Sequence, residues 1–177
     1  WKSDDRISIN GQEFKVSEIK EDGKAIFVNV NNLPSDFAAP FTAIYPYGSY
    51  TTPEFYFAVN QDQSTHEAYT ESDLMTASNT GRDQDVVDLV FNHNLTKVII
   101  NLSSDNLPAG QQSVVFRDVY HEVKADLSSN TYKYTGNTAD IIASPNGTNS
   151  FKVILPPQTS ERGDLFVEIT IGGNRYA

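Results

Sequence analysis

The chain has 177 residues, 20% of them charged and 38% apolar, with 9 Tyr and 10 Phe, a composition that supports a packed core and excludes global disorder. Its formal net charge of −10 argues against sequence-independent binding to nucleic acid or anionic lipid, both of which require Lys and Arg. There are no cysteines, which removes disulfides, thiolate metal sites and cysteine nucleophiles together. No stretch approaches the run of about 18 apolar residues that a membrane-spanning helix requires. The length fits one large β domain or two small ones. The chain opens at Trp1 with no Met and no visible signal peptide, as a processed or trimmed product would.

Residues 1–30 hold three strand-like runs, Arg6–Asn10, Glu13–Ile19 and Lys24–Val30, separated by the turn signals Asn10-Gly11 and Glu21-Asp22-Gly23. Phe14, Val16 and Ile19 form an expected inward face, as do Ile26, Val28 and Val30. Phe37–Tyr47 reads as a strand bounded or bulged by Pro40 and Pro46, which cannot donate to a ladder. Its end, Tyr45-Pro46-Tyr47, offers aromatic faces to a sugar ring; the preferred reading is an aromatic strand end packed on a neighbouring loop. Glu54–Asn60 alternates Phe55, Phe57 and Val59 against Glu54, Tyr56 and Ala58. Asn60–Thr80 then turns polar, with Ser72 or Thr70 placed to cap one short helical turn through Leu74, Met75 and Ala77. Gly81–Asp85 is a loop.

Asp88–Leu102 is the strongest core segment in the chain. Val87, Leu89 and Phe91 share one face, and Thr96, Val98, Ile100 and Leu102 share another, the alternation of half-buried strands. Burying Val98, Ile100 and Leu102 contributes about 1.5–3 kcal/mol each before conformational entropy is subtracted. The polar link His93-Asn94 either turns one strand into the next or carries the chain between two sandwiches. Gln112–Leu127 is a long broken strand with Val115, Val119, Val123 and Leu127 on one face. Short strands are predicted at Thr131–Tyr134 and Ala139–Ala143, then clear ones at Phe151–Leu155 and Asp164–Ile171, with a hairpin turn at Gly172-Gly173. Strand-sized runs recurring every 8–12 residues or so indicate a sandwich.

Chemistry-bearing residues are scattered. His66, His93 and His121 sit in three contexts without His-x-x-x-His or His-Glu-x-x-His spacing, so no zinc site is expected. Asp83, Asp85 and Asp88 cluster in GRDQDVVD, but the EF-hand pattern is absent and Arg82 adjoins, which favours a solvated loop over a calcium site. Gly172-Gly173 is not followed by a helix and is no phosphate cradle. No Gly-x-Ser-x-Gly elbow marks a nucleophile. Asn94, Asn101 and Asn146 begin formal glycosylation sequons, but Asn is ordinary in turns and strand ends. The expectation is a non-enzymatic protein with no catalytic, cofactor-binding or metal residues, no cofactor, and binding residues unknown.

The sequence between the two central strands, Phe91-x-His93-x-Leu95-Thr96-Lys97-Val98, resembles the fimbrillin family, secreted lipoprotein pilins and adhesin-like surface proteins of Gram-negative gut and oral anaerobes. Further blocks match in the same order. These are the opening with Trp1 and Asp5-x-Ile7, the segment Phe41–Tyr47, and Asp62-Gln63-Ser64-Thr65 with Ser72-Asp73-Leu74-Met75-x-Ala77. The endings VILPPQ and LFVEITIGGNRYA complete the series. The resemblance implies an all-β chain of two tandem transthyretin-like β-sandwich domains, 1–92 and 93–177. The family's lipid-bearing cysteine and its Gly-Lys-x-Tyr-type closing strand are not in the chain, which leaves open whether the second sandwich keeps its final strand.

The same resemblance implies a fimbrial (pilus) subunit or adhesin-like component, exported as a lipoprotein to the cell surface, outer membrane or fimbrium. Its implied partners are other fimbrial subunits, joined by β-strand addition, and host or bacterial surface glycans or proteins. Nucleic acid and a transmembrane segment are not implied. The alternative is a non-catalytic glycan-binding module of a polysaccharide uptake system. An exposed cluster of Trp or Tyr would favour the module, and a long apolar groove the pilin. Stalk, anchor or tip role stays open.

Overall fold

The computed structural model describes residues 1–50, 52–81, 86–104, 107–161, 163 and 165–177. In chain order the elements are β1 (Arg6–Ile9), β2 (Gln12–Ile19), β3 (Ala25–Asn29), β4 (Phe41–Tyr45), β5 (Glu54–Ala58), α1 (His66–Glu71), β6 (Met75–Asn79), β7 (Asn92–His93) and β8 (Thr96–Asn101). They continue with β9 (Gln112–Tyr120), β10 (Glu122–Asp126), β11 (Thr131–Tyr134), β12 (Thr138–Ile142), β13 (Ser144–Pro145), β14 (Ser150–Leu155), β15 (Val167–Ile171) and β16 (Asn174–Tyr176). The chain is all-β, built of antiparallel sheets, in keeping with the expected sandwich class. It forms two compact units, Trp1–Thr51 with Leu74–Asn94, and Thr52–Asp73 with Leu95–Ala177. Set beside the expected boundaries of 1–92 and 93–177, the segment Thr52–Asp73 groups with the C-terminal strands.

The first unit holds one six-stranded sheet, in the order β3-β2-β1-β4-β6-β7. β1 and β2 meet at Asn10-Gly11, both at positive φ (48° and 79°), the primed turn whose twist matches paired antiparallel strands. The Asn10 side chain also donates to the carbonyls of Ala38 and Pro40 and accepts from the Thr42 N–H at 2.8 Å. The core gathers Ile7, Ile9, Phe41, Ala43, Tyr45 and Ala77, with Phe14, Phe27 and Phe37 packed against it. Val87, Leu89 and Phe91 pack there too, so their predicted common face is real. They are not a strand, however: Asn92–His93 is the part of this stretch that pairs with β6, opposite Thr76 and Met75.

The N-terminal meander also departs from expectation in which face it buries. Ile19, Ile26, Val28 and Val30 are exposed, between 38% and 44%, and Phe27 turns inward in their place. Both faces of β3 are apolar, so alternation alone cannot choose between them. The larger aromatic ring takes the core side, which buries more area. Ile19 pairs with Ala25 beyond a register shift between Val16 and Glu18, and it is exposed because the last three residues of β2 all lie outside the core.

The second unit holds three sheets, β11-β10-β5, β12-β9-β15-β16 and β13-β14-β8, with a parallel bridge between Asp62 and Ile142. Phe55 and Phe57 are buried and Tyr56 is 62% exposed, the predicted alternation. The central run behaves differently. Val98, Ile100 and Leu102 are half-buried, Thr96 is exposed, and Ile99 is 48% exposed. β8 is therefore an edge strand, and the buried member of its pair is β14, whose Phe151, Val153, Ile154 and Leu155 are all enclosed.

The short helix is also displaced from its predicted place. Thr65 is the N-cap, its Oγ1 accepting from the Ala68 N–H at 3.1 Å, and Ser72 is the C-cap. Leu74 is buried, and Met75 and Ala77 lie in β6. At the far end, Gly172-Gly173 turns β15 into β16 with both φ values positive. A returning strand of three residues, all exposed, is present there.

Candidate functional site

The distinctive feature of the second unit is a break in the longest strand. Val114 and Phe116 are buried, and so are Val119, Val123 and Ala125; the step of three between Phe116 and Val119 changes the inward phase. Val115, expected inward, therefore sits on the other face. The cause is a β-bulge. In the pairing of β12 with β9, Ala139 opposes Val119 and Ile141 opposes Phe116, so Arg117 and Asp118 together face Asp140. Asp118 takes φ +50°, the left-handed region that Asp tolerates better than most residues.

Charged groups hold the bulge open. Asp140 accepts from the Asp118 N–H at 3.1 Å and from Arg117 at 2.5 Å. Arg117 donates through its other terminal nitrogen to Glu168 at 2.6 Å, and Arg175 pairs with the second Glu168 oxygen. Glu168 is only 8% exposed, so its charge needs both partners. The Asp118 N–H and then Arg117 hold the Asp140 carboxyl below the usual carboxylate range. Arg117 and then Arg175 do the same for Glu168. Arg117 is raised in turn by Glu168 and Asp140.

Beside the bulge lies a cleft of about 470 Å³, lined among others by Asp118, Tyr120, Thr138, Thr159, Ser160 and Phe166. Backbone groups of β9 beside it are already paired. The Arg117 N–H donates to the Phe166 carbonyl. The Gln158 side-chain amide accepts from the Tyr120 N–H at 2.9 Å and donates to the Tyr120 carbonyl at 3.1 Å, taking the place of a neighbouring strand. The Tyr120 ring lies parallel to Tyr134, centroids 4.1 Å apart and planes 6° apart. A second amide of this kind is Gln63, fully buried, which accepts from the Ile154 N–H at 2.9 Å and donates to its carbonyl at 2.8 Å.

The residues singled out from the sequence lie elsewhere. His66 opens α1, exposed His93 lies in β7, and His121 sits between β9 and β10 with Nδ1 3.1 Å from the Asn137 carbonyl oxygen. Among the described residues no group of three metal-ligating side chains gathers. Asp83 and Asp85 lie outside the described residues; Asp88 is exposed and its carbonyl accepts from Asn79 at 2.7 Å. Tyr45 is buried, with Trp1 edge-on at 5.5 Å, and Tyr47 is exposed. Asn94 donates to Thr76 and Asn146 to Ser150, while Asn101 is exposed in β8 opposite Ser150. Sequence reasoning missed Arg117, Asp118 and Gln158. The available signal was the phase change from Val114 and Phe116 to Val119 across a charged pair.

A family model described as fimbrillin-like matches residues 4–177. No match is found among curated proteins. Among solved structures, a provisionally assigned cell adhesion protein from Bacteroides uniformis shares 21% identity, with 99% of this chain and 78% of that one aligned at a TM-score of 0.69. Another from Bacteroides ovatus shares 17% over 99% and 76%, with a TM-score of 0.70. A fimbrial protein from Bacteroides ovatus shares 16% over 99% of this chain and 40% of that chain, with a TM-score of 0.55. At these identities the likeness establishes a shared fold.

Proposed function

The chain belongs to the fimbrillin-like family, and from that premise we propose that it is a non-enzymatic bacterial surface component, a fimbrial subunit or adhesin, that joins its neighbours by β-strand addition. Solved proteins of the same fold that are described as fimbrial or as adhesion proteins support the surface role. Display at the cell surface or in a fimbrium, attached to the outer membrane, is part of the same reading.

The observation that carries strand addition is β8. Its six residues pair with β14 in unbroken register from Thr96–Leu155 to Asn101–Ser150. It has no proline, glycine or bulge, and it ends its sheet. An edge of that length and regularity presents a row of backbone donors and acceptors to another strand. Val98 and Ile100 are half-buried on one face and Ile99 is exposed on the other, so an added strand would cover apolar surface as well.

The test uses a synthetic peptide with alternating apolar residues. Pairing should slow hydrogen exchange along β8 and raise the melting temperature in proportion to peptide concentration. A scrambled peptide should do neither, because register sets which side chains meet. Ile99→Lys should abolish pairing while leaving the fold intact, since the site is exposed. Protection appearing elsewhere, or none at all, would reject β8 as the acceptor.

A further inference from the structure

We propose that the cleft beside the β9 bulge binds a neutral sugar residue of a glycan, with Tyr120 as its aromatic wall and Asp118, Thr138, Thr159 and Ser160 as its hydroxyl partners. The proposal rests on the surface-adhesin reading and names the chemistry of one partner. At about 470 Å³ the cleft falls in the size range of small-ligand sites.

Charge decides against an acidic ligand. Arg117 is the cation among the described lining residues, and its charge is already matched by the Asp140 and Glu168 carboxylates. What the cleft offers instead is the exposed Asp118 carboxylate and three exposed hydroxyls, from Thr138, Thr159 and Ser160. Sugar hydroxyls donate well to a carboxylate, a charge-assisted bond stronger than a neutral one, and they both donate to and accept from Ser and Thr. A chain of net charge −10 repels sialylated or uronate sugars further.

Backbone pairing decides against a peptide strand. An added strand needs open N–H and C=O groups, and at Tyr120 both are taken by Gln158. The Asp118 N–H is taken by Asp140 and the Arg117 N–H by Phe166. Recognition here must run through side chains. Among them Tyr120 is set in advance, because the Gln158 clamp holds its backbone and Tyr134 stacks on one face of its ring. A wall already in place costs little ordering on binding. Aromatic rings suit the apolar faces of pyranoses for the reason they suit each other's edges: C–H groups meet a negative π face.

The experiment presents the full chain to immobilised neutral oligosaccharides (gluco-, manno-, galacto- and xylo-configured) and to acidic ones (oligogalacturonate and sialyllactose). Calorimetry then measures whichever probes score. At least one neutral probe should bind. Tyr120→Ala and Asp118→Asn should each weaken it by about tenfold or more, while Tyr56→Ala, an exposed tyrosine on another sheet, should not. Asn tolerates the left-handed conformation at 118, so that variant keeps the fold, and an unchanged melting temperature checks it. Silence from every neutral probe at about 10 mM, a range far weaker than useful recognition, would overturn the proposal. So would binding confined to acidic probes, or affinity unmoved in both cleft variants. Ile99→Lys leaves this readout alone, so failure here and failure of strand addition are separately visible.

Discussion

The two units solve the same problem in different ways. The first is a single sheet whose strands are turned by local signals such as Asn10-Gly11, and Ser8 is the one buried polar residue found there among those described. The second divides its strands among three sheets and buries Gln63, Ser72, Ser144 and Glu168. Where its ladders stop, side-chain amides finish them, Gln63 on β14 and Gln158 on β9. A nearly continuous sheet, broken by a register shift in β2, satisfies most of its backbone with itself. An interrupted one must bring in polar side chains, and these leave a bulge and a cleft of fixed shape. The interrupted unit is accordingly where the proposed sugar site lies.

The contrast can be broken most forcefully in the first unit. Phe41 is 1% exposed at the heart of its core, and Phe41→Ala should cost about 3–5 kcal/mol. Trp1 stands edge-on to Phe27, Tyr45 and Phe91 and is the only tryptophan in the chain. Its fluorescence therefore reports this unit. The denaturation midpoint followed by Trp1 should fall sharply; if it holds while circular dichroism shifts, the core has been misplaced.

Gln63→Ala sharpens the other side. It orphans the N–H and carbonyl of Ile154 in a buried place, which should cost about 2–3 kcal/mol. Hydrogen exchange at the Ile154 amide should accelerate before the Trp1 signal changes. Equal loss at both probes would mean that the amide is not a local stitch.

Acid should act more gently. The Glu168 carboxyl is lowered by Arg117 and Arg175, so its contribution is present above the usual carboxylate range and lost as pH falls through and below about 4. Glu168→Gln should therefore be less stable than the parent near neutrality, and the gap should close in acid. The ion pairs are partly solvated, so the gap is modest and narrows in salt. A gap that widens on acidification would contradict the network.

By itself the sequence determined the all-β class, the Asn10-Gly11 and Gly172-Gly173 turns, the alternation of Phe55 and Phe57 against Tyr56, and the family. Each follows from neighbours a few residues apart: a turn needs its own φ values, and a period of two needs only one strand. Tertiary structure decided which face of β3 is inside, because Ile26, Val28 and Val30 are as apolar as Phe27 and only partners across the sheet break the tie. It decided that Val87, Leu89 and Phe91 cover a core without joining its ladder, and that the strongest apolar run, Val98–Leu102, lies at an edge. The candidate site was least legible of all. Arg117 and Asp118 acquire their place only when Asp140, 22 residues past Asp118, opposes them both, and Gln158 reaches Tyr120 across 38 residues. Alternation says that a strand has two faces; only the contacts that form across the fold say what each face meets.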